Sequence, residues 1–206
     1  MKMPKTGLYA ITQPENKSCA TVIREVAAAI RGGAVIVQYR DKNPTDAMML
    51  GKALLHLCHD HEIPLIINDD VDLASSVGAD GVHLGKDDAD IERARQRLGS
   101  DAIIGVSCYD SVERAIEVVQ RGADYVAFGR FHASGTKPLA SPAHIETLKQ
   151  ARIQLSVPIV AIGGILPENG RPLLDAGADL LAVIGGIFDH DPESSARAFQ
   201  PLFDRS

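Results

Sequence analysis

The stretch AGADLLAV, residues 176–183, carries the pattern that decides how this chain folds. Two further copies precede it, VGADGVHL at 77–84 and RGADYVAF at 121–128, and RGGAVIVQ at 31–38 is a looser copy. In each copy the glycine is placed to end a helix, and Ala-Asp makes a tight connection. The apolar run that follows has the composition of a buried strand. The repeat therefore predicts helix, short turn and buried strand in succession.

Apolar runs that end in polar residues or glycine occur eight times along the chain. They are GLYAIT (7–12), VIVQYR (35–40), PLIIND (64–69), GVHLG (81–85), IIGVS (103–107), YVAFG (125–129), PIVAIGG (158–164) and LLAVIG (180–185). Residues at helical spacing, such as Leu50, Leu54 and Leu57, lie between most of these runs. Eight alternations of strand and helix predict an α/β fold, the single (β/α)8 TIM barrel.

An open doubly wound sheet shares this alternation and is the alternative fold. Such a sheet normally has a glycine-rich fingerprint after its first strand, whereas GLYAIT is followed by QPENKS, which has no glycine. We therefore favour the barrel. At about 26 residues per βα unit there is no room for an inserted domain, so we expect one TIM-barrel catalytic domain over residues 1–206.

Composition excludes several classes of protein. Apolar residues make up 45% and charged residues 23% of the chain, which is typical of a globular protein. Aromatic residues are only 4% and the net charge is −6, so we expect neither a nucleic-acid platform nor a basic surface for anionic lipid. Taken alone, this charge also disfavours a highly anionic substrate. The sequence is compatible with a homo-oligomer.

The cysteines and the apolar segments indicate a cytoplasmic protein. Cys19, Cys58 and Cys108 are widely spaced and form no CxxC, so we expect neither disulfides nor a zinc site. The first apolar run is too short for a signal peptide. The longest later one, 180–188, is about half a membrane span, so no membrane association is expected.

In a barrel the active site is assembled from the carboxyl ends of the strands. After the second strand, the period of two places Gln38, Arg40 and Lys42 on one face, so an amide and two cations converge. Solvated loop charges are the alternative interpretation of Arg40 and Lys42. Their position directly after a buried run favours a role in binding an anion, and a locally cationic mouth would offset the overall negative charge.

Two carboxylates follow the third and fourth strands. Asp69 and Asp88 can reach a shared point, because neighbouring strand ends lie roughly 5 Å apart. Carboxylates without Cys or His favour a hard cation such as Mg²⁺, which also binds waters and substrate phosphates. For Asp70 and Asp87 we favour the interpretation as helix caps.

Glycine pairs end the seventh and eighth strands, at Gly163-Gly164 and Gly185-Gly186. Backbone amides at these two ends form the phosphate pocket of many barrels, although the glycines could serve the turns alone. SGTK at 134–137 follows the sixth strand and could wrap an anion, but this motif is weak by itself. The residues therefore indicate a metal-dependent enzyme for two phosphorylated ligands or one long one.

Three other residues are weaker candidates for a role in catalysis or binding. His83 lies inside a strand and is interpreted as an interior histidine rather than a catalytic base. Ser107 could donate a hydrogen bond to a substrate or cap the next helix. Cys108 has no identifiable base beside it, so it is not expected to be a nucleophile.

At this point the sequence resembles the thiamine-phosphate synthase family over nearly its whole length. The motifs that occur in the family's order and spacing are GLYAIT, QYRDK, LIINDD, GVHLG with Asp88 following, IIGVS, YVAFGRF with SGTKP, and AIGGI with LLAVIGGIF. The resemblance implies a Mg²⁺-dependent transferase that joins 4-amino-2-methyl-5-pyrimidinylmethyl diphosphate to a thiazole phosphate or its carboxylated form. The implied products are thiamine monophosphate and pyrophosphate.

The resemblance also implies a role for each matching residue. Gln38, Arg40, Lys42 and Asn68 would hold the pyrimidine diphosphate, and Ser107 would lie near the pyrimidine. Asp69 and Asp88 would bind Mg²⁺. Ser134, Thr136, Gly164, Ile184 and Gly185 would face the thiazole phosphate, and Lys137 the leaving pyrophosphate. Arg40, Lys42, Lys137 and Ser107 form the catalytic set.

The chain departs from the family pattern at Lys86, at Cys108-Tyr109 and at Gly185, where many members have Ser. Gly185 puts one hydroxyl contact to the thiazole phosphate in doubt. The alternatives that stay open are a thiazole tautomerase of the same superfamily, a Schiff-base aldolase that uses Lys137, and a catalytically silent regulator that binds thiamine phosphate.

Overall fold

The predicted barrel is present in the computed structural model, which describes residues 1–43, 45–85, 90–132 and 142–204. Eight parallel strands close into a barrel in chain order, with β8 paired to β1. They are β1 (Gly7–Ile11), β2 (Ala34–Tyr39), β3 (Leu65–Asn68), β4 (Gly81–Leu84), β5 (Ile103–Tyr109), β6 (Tyr125–Gly129), β7 (Ile159–Ile162) and β8 (Leu180–Val183). All eight predicted strands are confirmed, and the open sheet is excluded.

Helices connect the strands along the described chain. They are α1 (Cys19–Arg31), α2 (Ala47–Asp60), α3 (Val71–Val77), α4 (Ile91–Leu98), α5 (Val112–Gln120), α6 (Ile145–Gln154), α7 (Pro167–Asp175), α8 (Gly185–Phe188), α9 (Pro192–Phe199) and a final 3₁₀ turn, Gln200–Leu202. The helix after the third strand has only seven residues, because few residues separate β3 from β4. In the described part of the chain, no helix has the length and apolar character needed to cross a membrane.

The strands separate two apolar layers because their side chains alternate in direction. In β2, Ile36 packs in the layer with Tyr9 and Tyr125, which fills the barrel. Val37 and Tyr39 belong to the larger layer between strands and helices. Gln38 has the same parity as Ile36 and is 2% exposed, so it lies inside the barrel.

The aspartate of each Gly-Ala-Asp repeat ties one strand to the preceding one. Its backbone N–H donates to the first or second residue of the preceding strand, and its carboxylate accepts the N–H of that same residue. The pairs are Asp80 with Leu65, Asp124 with Ile104, and Asp179 with Ile159. The sequence predicts only a tight connection at this position. The structure shows that the aspartate also fixes the start of the neighbouring strand.

This tie predicts a stability difference between two nearby aspartates. Asp179 Oδ2 accepts from Ile159 N and Arg152 Nη1, both at 2.8 Å, so Asp179→Ala leaves a strand N–H without its partner. We expect the free energy of unfolding in urea to fall by about 1–3 kcal/mol. Asp175 forms only an exposed ion pair with Arg171 on α7, and Asp175→Ala should cost at most about 0.5 kcal/mol. Equal losses in the two variants would contradict the structural role of the repeat.

Candidate active site

The backbone beyond β2 is held in place by Thr12, which follows β1. Thr12 is 1% exposed, and its hydroxyl accepts from Arg40 N at 2.9 Å and donates to Arg40 O at 3.0 Å. Thr12 N donates to Gln38 O at 2.9 Å, so the pairing of β1 and β2 continues past both strand ends. The backbone of Arg40 is therefore held in one position at the mouth of the barrel.

The cations after β2 are available for an anion. Arg40 is partly exposed and Lys42 is exposed. Neither forms an ion pair with any other residue in the described ranges, although twelve ion pairs of Lys, Arg or the N-terminus with carboxylates occur elsewhere in those ranges. Two cations without a carboxylate partner at the mouth suit a phosphate or pyrophosphate ligand.

A chain of hydrogen bonds crosses the inside of the barrel, which we call the interior polar chain. Its members are Gln38, Tyr9, Tyr125, His83 and Ser107. Gln38 Nε2 contacts Tyr9 Oη at 3.0 Å, and the two phenol oxygens are 2.9 Å apart. Tyr125 Oη contacts His83 Nδ1 at 2.9 Å, and His83 Nε2 contacts Ser107 Oγ at 2.9 Å. Two predicted site residues, Gln38 and Ser107, are therefore the ends of one network.

The lack of a side chain at Gly105 leaves the space that this network needs. A Cβ on Gly105 would lie 1.9 Å from Tyr125 Cζ, so glycine on β5 makes room for the ring. Tyr125 also stacks on His83, with ring centroids 5.6 Å apart. Burial raises the pKa of Tyr9 and of Tyr125 well above that of a free phenol, so both stay neutral hydrogen-bonding groups.

Asp69 lies at the junction of β3 and β4. Its N–H donates to His83 O, and its carboxylate accepts from Gly85 N at 2.9 Å and from Asn68 Nδ2 at 2.6 Å. Its φ of 60° is uncommon for a residue other than glycine and marks a constrained position. The carboxylate is exposed and keeps lone pairs for a further ligand.

The second carboxylate of the predicted metal pair belongs to the segment that follows β4. Asp88, with Lys86 and Asp87, lies outside the described residues. Gly85, which binds Asp69, is the last described residue before that segment. Asp70 caps α3 by accepting from Leu73 N at 2.8 Å, as the sequence indicates. Within the described ranges, no group of three or more His, Cys, Asp or Glu side chains could hold a metal.

The glycines after β7 form a tight turn, and those after β8 begin a helix at the same rim. Gly163 and Gly164 have φ of 106° and 60°, and Gly163 O accepts from His132 N. After β8, Ile184 is the N-cap of α8, and Gly185 begins that helix. The first N–H groups of a helix have no partner within it, so amides at this rim are available for an oxyanion.

The loop after β6 contains three predicted site residues in a segment that lies outside the described residues. Ser134 and Thr136 are predicted to face the thiazole phosphate, and Lys137 the leaving pyrophosphate. Both flanks of this segment are fixed at the rim. Phe131 N donates to Ile162 O, and Ala143 N donates to Arg130 O at 2.7 Å. The described residues on both sides of this segment therefore lie beside β6 and β7, next to the Gly163-Gly164 turn.

Cys108 points away from the mouth. It is fully buried in the layer between strands and helices, and its Sγ donates to Val106 O. Burial raises the pKa of Cys108 and that of Cys58 to about 12, so neither is a thiolate at neutral pH. The departure at Cys108-Tyr109 therefore places a structural thiol on β5, followed by Tyr109 at φ 57°.

Sequence reasoning missed two members of the network, Tyr9 and Tyr125. Both occur in predicted strands, in GLYAIT and YVAFG, and the chain has only four tyrosines. A tyrosine at an inward position of a buried strand needs a partner for its hydroxyl, and this was the available signal. His83 is interior, as predicted, but it also joins Ser107 to the two phenols.

Comparisons with known proteins agree with this geometry. A family model described as thiamine monophosphate synthase matches residues 8–187. The thiamine-phosphate synthase of Marinobacter nauticus is 50% identical over 98% of this chain and 92% of its own length. That of Nitrosococcus oceani is 48% identical over 96% of this chain and 92% of its own length.

Solved structures extend the similarity to three dimensions. The structure of thiamine phosphate pyrophosphorylase from Pyrococcus furiosus has a TM-score of 0.87 at 33% identity, and the alignment covers 97% of this chain and 96% of that one. A 3-hexulose-6-phosphate synthase has a TM-score of 0.72 at 20% identity, over 97% of this chain and all of the other, which shows the shared fold alone.

The burial of the cysteines predicts their reactivity. A thiol with a pKa near 12 is ionised in roughly one molecule in 10,000 at pH 8, so Cys58 and Cys108 should resist alkylation in the folded protein. Cys19 is partly exposed at the start of α1 and should react first. We expect mass spectrometry to find one labelled cysteine in the native protein and three in urea. Fast labelling of Cys108 in the native protein would contradict its buried position.

Proposed function

Because this chain belongs to the thiamine monophosphate synthase family, we propose that it joins 4-amino-2-methyl-5-pyrimidinylmethyl diphosphate to a thiazole phosphate or its carboxylated form. The products are thiamine monophosphate and pyrophosphate, with CO2 in addition when the carboxylated thiazole reacts. The observation that carries this proposal is the composition of the mouth. A neutral polar network ends there at Gln38 and Ser107, with two cations and two glycine pairs at the same mouth.

The aminopyrimidine binds over the ends of the interior polar chain. Gln38 and Ser107 offer hydrogen bonds to a flat polar ring, and the phenols behind them keep the site neutral. Asn68 contributes a side-chain amide from the end of β3. A neutral site suits an uncharged pyrimidine, since a buried charge without a partner is costly.

The diphosphate is held by cations from two sides. Arg40 and Lys42 extend from β2, and Lys137 comes from the loop after β6. Charge builds on the leaving oxygens as the bond to the methylene carbon breaks, and these cations stabilise it in the transition state. The absence of a carboxylate partner for Arg40 and Lys42 within the described ranges supports this role.

Asp69 and Asp88 would hold a Mg²⁺ ion. The position of Asp69 fits, because its carboxylate is exposed, constrained at φ 60° and oriented by Gly85 N and Asn68 Nδ2. Mg²⁺ binds through few protein carboxylates together with waters and phosphate oxygens, so one or two aspartates suffice. When bound, the ion neutralises charge on the diphosphate.

The thiazole phosphate occupies the rim between β6 and β8, where Gly164, Ile184 and Gly185 present backbone N–H groups. Ser134 and Thr136 add hydroxyls from the loop after β6. The absence of a side chain at Gly185 removes one hydroxyl contact common in the family. A Cβ there would lie 2.4 Å from Asp189 Oδ2, so this chain pairs the glycine with a close carboxylate.

The reaction is a substitution at the exocyclic methylene carbon of the pyrimidine. The thiazole nitrogen attacks, pyrophosphate leaves, and the electron-rich aminopyrimidine stabilises the cationic carbon. The protein supplies orientation and charge stabilisation, and no side chain forms a covalent bond. The only cysteine on a barrel strand in the described ranges, Cys108, is buried away from the mouth, which supports this scheme. The partners are small molecules, and the setting is the cytoplasm.

The decisive test mixes both phosphorylated halves with the protein, with and without Mg²⁺. We expect thiamine monophosphate and pyrophosphate in equal amounts, only with the metal, measured by chromatography and a pyrophosphate-release assay. Each rival has its own result. A tautomerase converts the thiazole alone, an aldolase is trapped by borohydride, and a regulator binds thiamine phosphate without turnover. Absence of both products would overturn the proposal.

Two adjacent aspartates give a matched test of the metal site. Asp69→Asn keeps a side chain that tolerates positive φ and an oxygen for Gly85 N, but it removes the charge. We expect the Mg²⁺ concentration for half-maximal rate to rise roughly 10- to 100-fold. Asp70→Asn exchanges one good helix cap for another and should leave this concentration unchanged. The same Mg²⁺ dependence in both variants would exclude Asp69 as a ligand.

A further inference from the structure

We propose that Tyr9, Tyr125 and His83 are positioning residues that fix the direction of every hydrogen bond in the interior polar chain, so that Ser107 presents its hydroxyl hydrogen and Gln38 presents its carbonyl oxygen to the substrate. This inference rests on the proposed function, in which Gln38 and Ser107 contact the pyrimidine. It concerns three residues to which sequence reasoning assigned no role in the reaction.

The interior polar chain is built from side chains on five different strands. Gln38 is on β2, Tyr9 on β1, Tyr125 on β6, His83 on β4 and Ser107 on β5. The two tyrosines are 1% and 0% exposed, and His83 is 9% exposed, so the middle of the chain is shielded from water. Each of its four contacts is 2.9 or 3.0 Å long. A movement of one strand would therefore break a contact that water cannot replace.

The direction of the chain follows from its first donor. Gln38 Nε2 can only donate, so Tyr9 Oη accepts from it. Tyr9 then gives its own hydrogen to Tyr125 Oη, and Tyr125 gives its hydrogen to His83 Nδ1. His83 must accept at Nδ1, which places its proton on Nε2.

The contact between His83 and Ser107 determines which group of Ser107 faces the substrate. The Nε2 proton of His83 is donated to Ser107 Oγ, so the hydroxyl hydrogen of Ser107 is free to point at the mouth. At the other end, Gln38 Oε1 forms no hydrogen bond with another residue in the described ranges and remains an acceptor. The two ends therefore offer one donor and one acceptor.

The opposite hydrogen bond, from Tyr125 to Tyr9, is unfavourable when Gln38 Nε2 already donates to Tyr9 Oη. If Tyr125 donated to Tyr9, the oxygen of Tyr9 would accept twice and its own hydrogen would have no acceptor. A buried donor without a partner is unfavourable, because it has lost its hydrogen bond to water and gained none in the protein. The cations Arg40 and Lys42, which follow Gln38 along the chain, also favour a glutamine whose carbonyl oxygen is the outward group.

These two ends complement an aminopyrimidine, which carries ring nitrogens that accept and an exocyclic amino group that donates. The Ser107 hydroxyl suits a ring nitrogen and Gln38 Oε1 suits the amino group. The network thus favours a 4-aminopyrimidine over a 4-oxopyrimidine, whose carbonyl oxygen accepts where the amino group donates.

The first experiment examines the chain without substrate. Nitrogen-15 NMR of the histidine-labelled full-length protein reports which ring nitrogen carries the proton, and His83→Gln identifies the His83 signals among those of seven histidines. We expect His83 to be neutral, with hydrogen on Nε2 and none on Nδ1. A proton on Nδ1 would mean that the hydrogen bonds of the interior polar chain run in the opposite direction. It would overturn the proposal, whatever the activity of the enzyme.

The second experiment measures catalysis in matched variants. Tyr125→Phe and Tyr9→Phe remove a hydroxyl from the chain but keep the ring. We expect kcat/KM for the pyrimidine substrate to fall about tenfold in each, with KM for the thiazole phosphate unchanged. Tyr39→Phe removes a hydroxyl from a buried tyrosine in the outer layer and should match the wild type. Unfolding curves show whether each variant is folded.

The outcomes separate this inference from the proposed function. An active wild type with Tyr125→Phe and Tyr9→Phe as active as Tyr39→Phe would overturn the positioning role and leave the function intact. An inactive wild type would overturn the function, while the tautomer of His83 would still report the direction of the chain.

Discussion

The parallel pairing of β8 with β1 closes the sheet, and the rest of the molecule depends on this closure. A closed parallel barrel has all strand carboxyl ends at one rim, so residues far apart in sequence share a single mouth. The closure also encloses an interior layer, in which Tyr9 on β1 reaches Tyr125 on β6 across the barrel. An open sheet would place these two strands far apart, and the interior polar chain could not form.

The site combines two kinds of support. Backbone contacts fix the charged groups at the rim, as Thr12 does for Arg40 and Gly85 does for Asp69. Buried side chains fix the neutral groups, as His83 does for Ser107. The charged groups remain in contact with water, where they can meet a diphosphate. The neutral groups are shielded, which suits binding of an uncharged ring and keeps their geometry precise.

Net charge proved a poor guide to the ligand. The value of −6 describes the whole surface. Many acidic side chains in the described ranges are used in structural contacts, such as Asp179 with Arg152 and Glu92 with Arg121. The latter pairing holds the pKa of Glu92 near 2. Arg40 and Lys42 have no such partner within those ranges, so the mouth can attract an anion although the chain is acidic.

The sequence by itself determined the barrel, because strand and helix periodicities and the Gly-Ala-Asp repeat are local properties of the chain. It also placed Gln38, Arg40, Asp69 and Ser107 at strand ends, since position along a strand is counted in residues. Only the tertiary structure decided that Gln38 and Ser107 are ends of one network through Tyr9, Tyr125 and His83. Contacts between side chains on five strands depend on barrel closure and on the space left by Gly105, which no local pattern records.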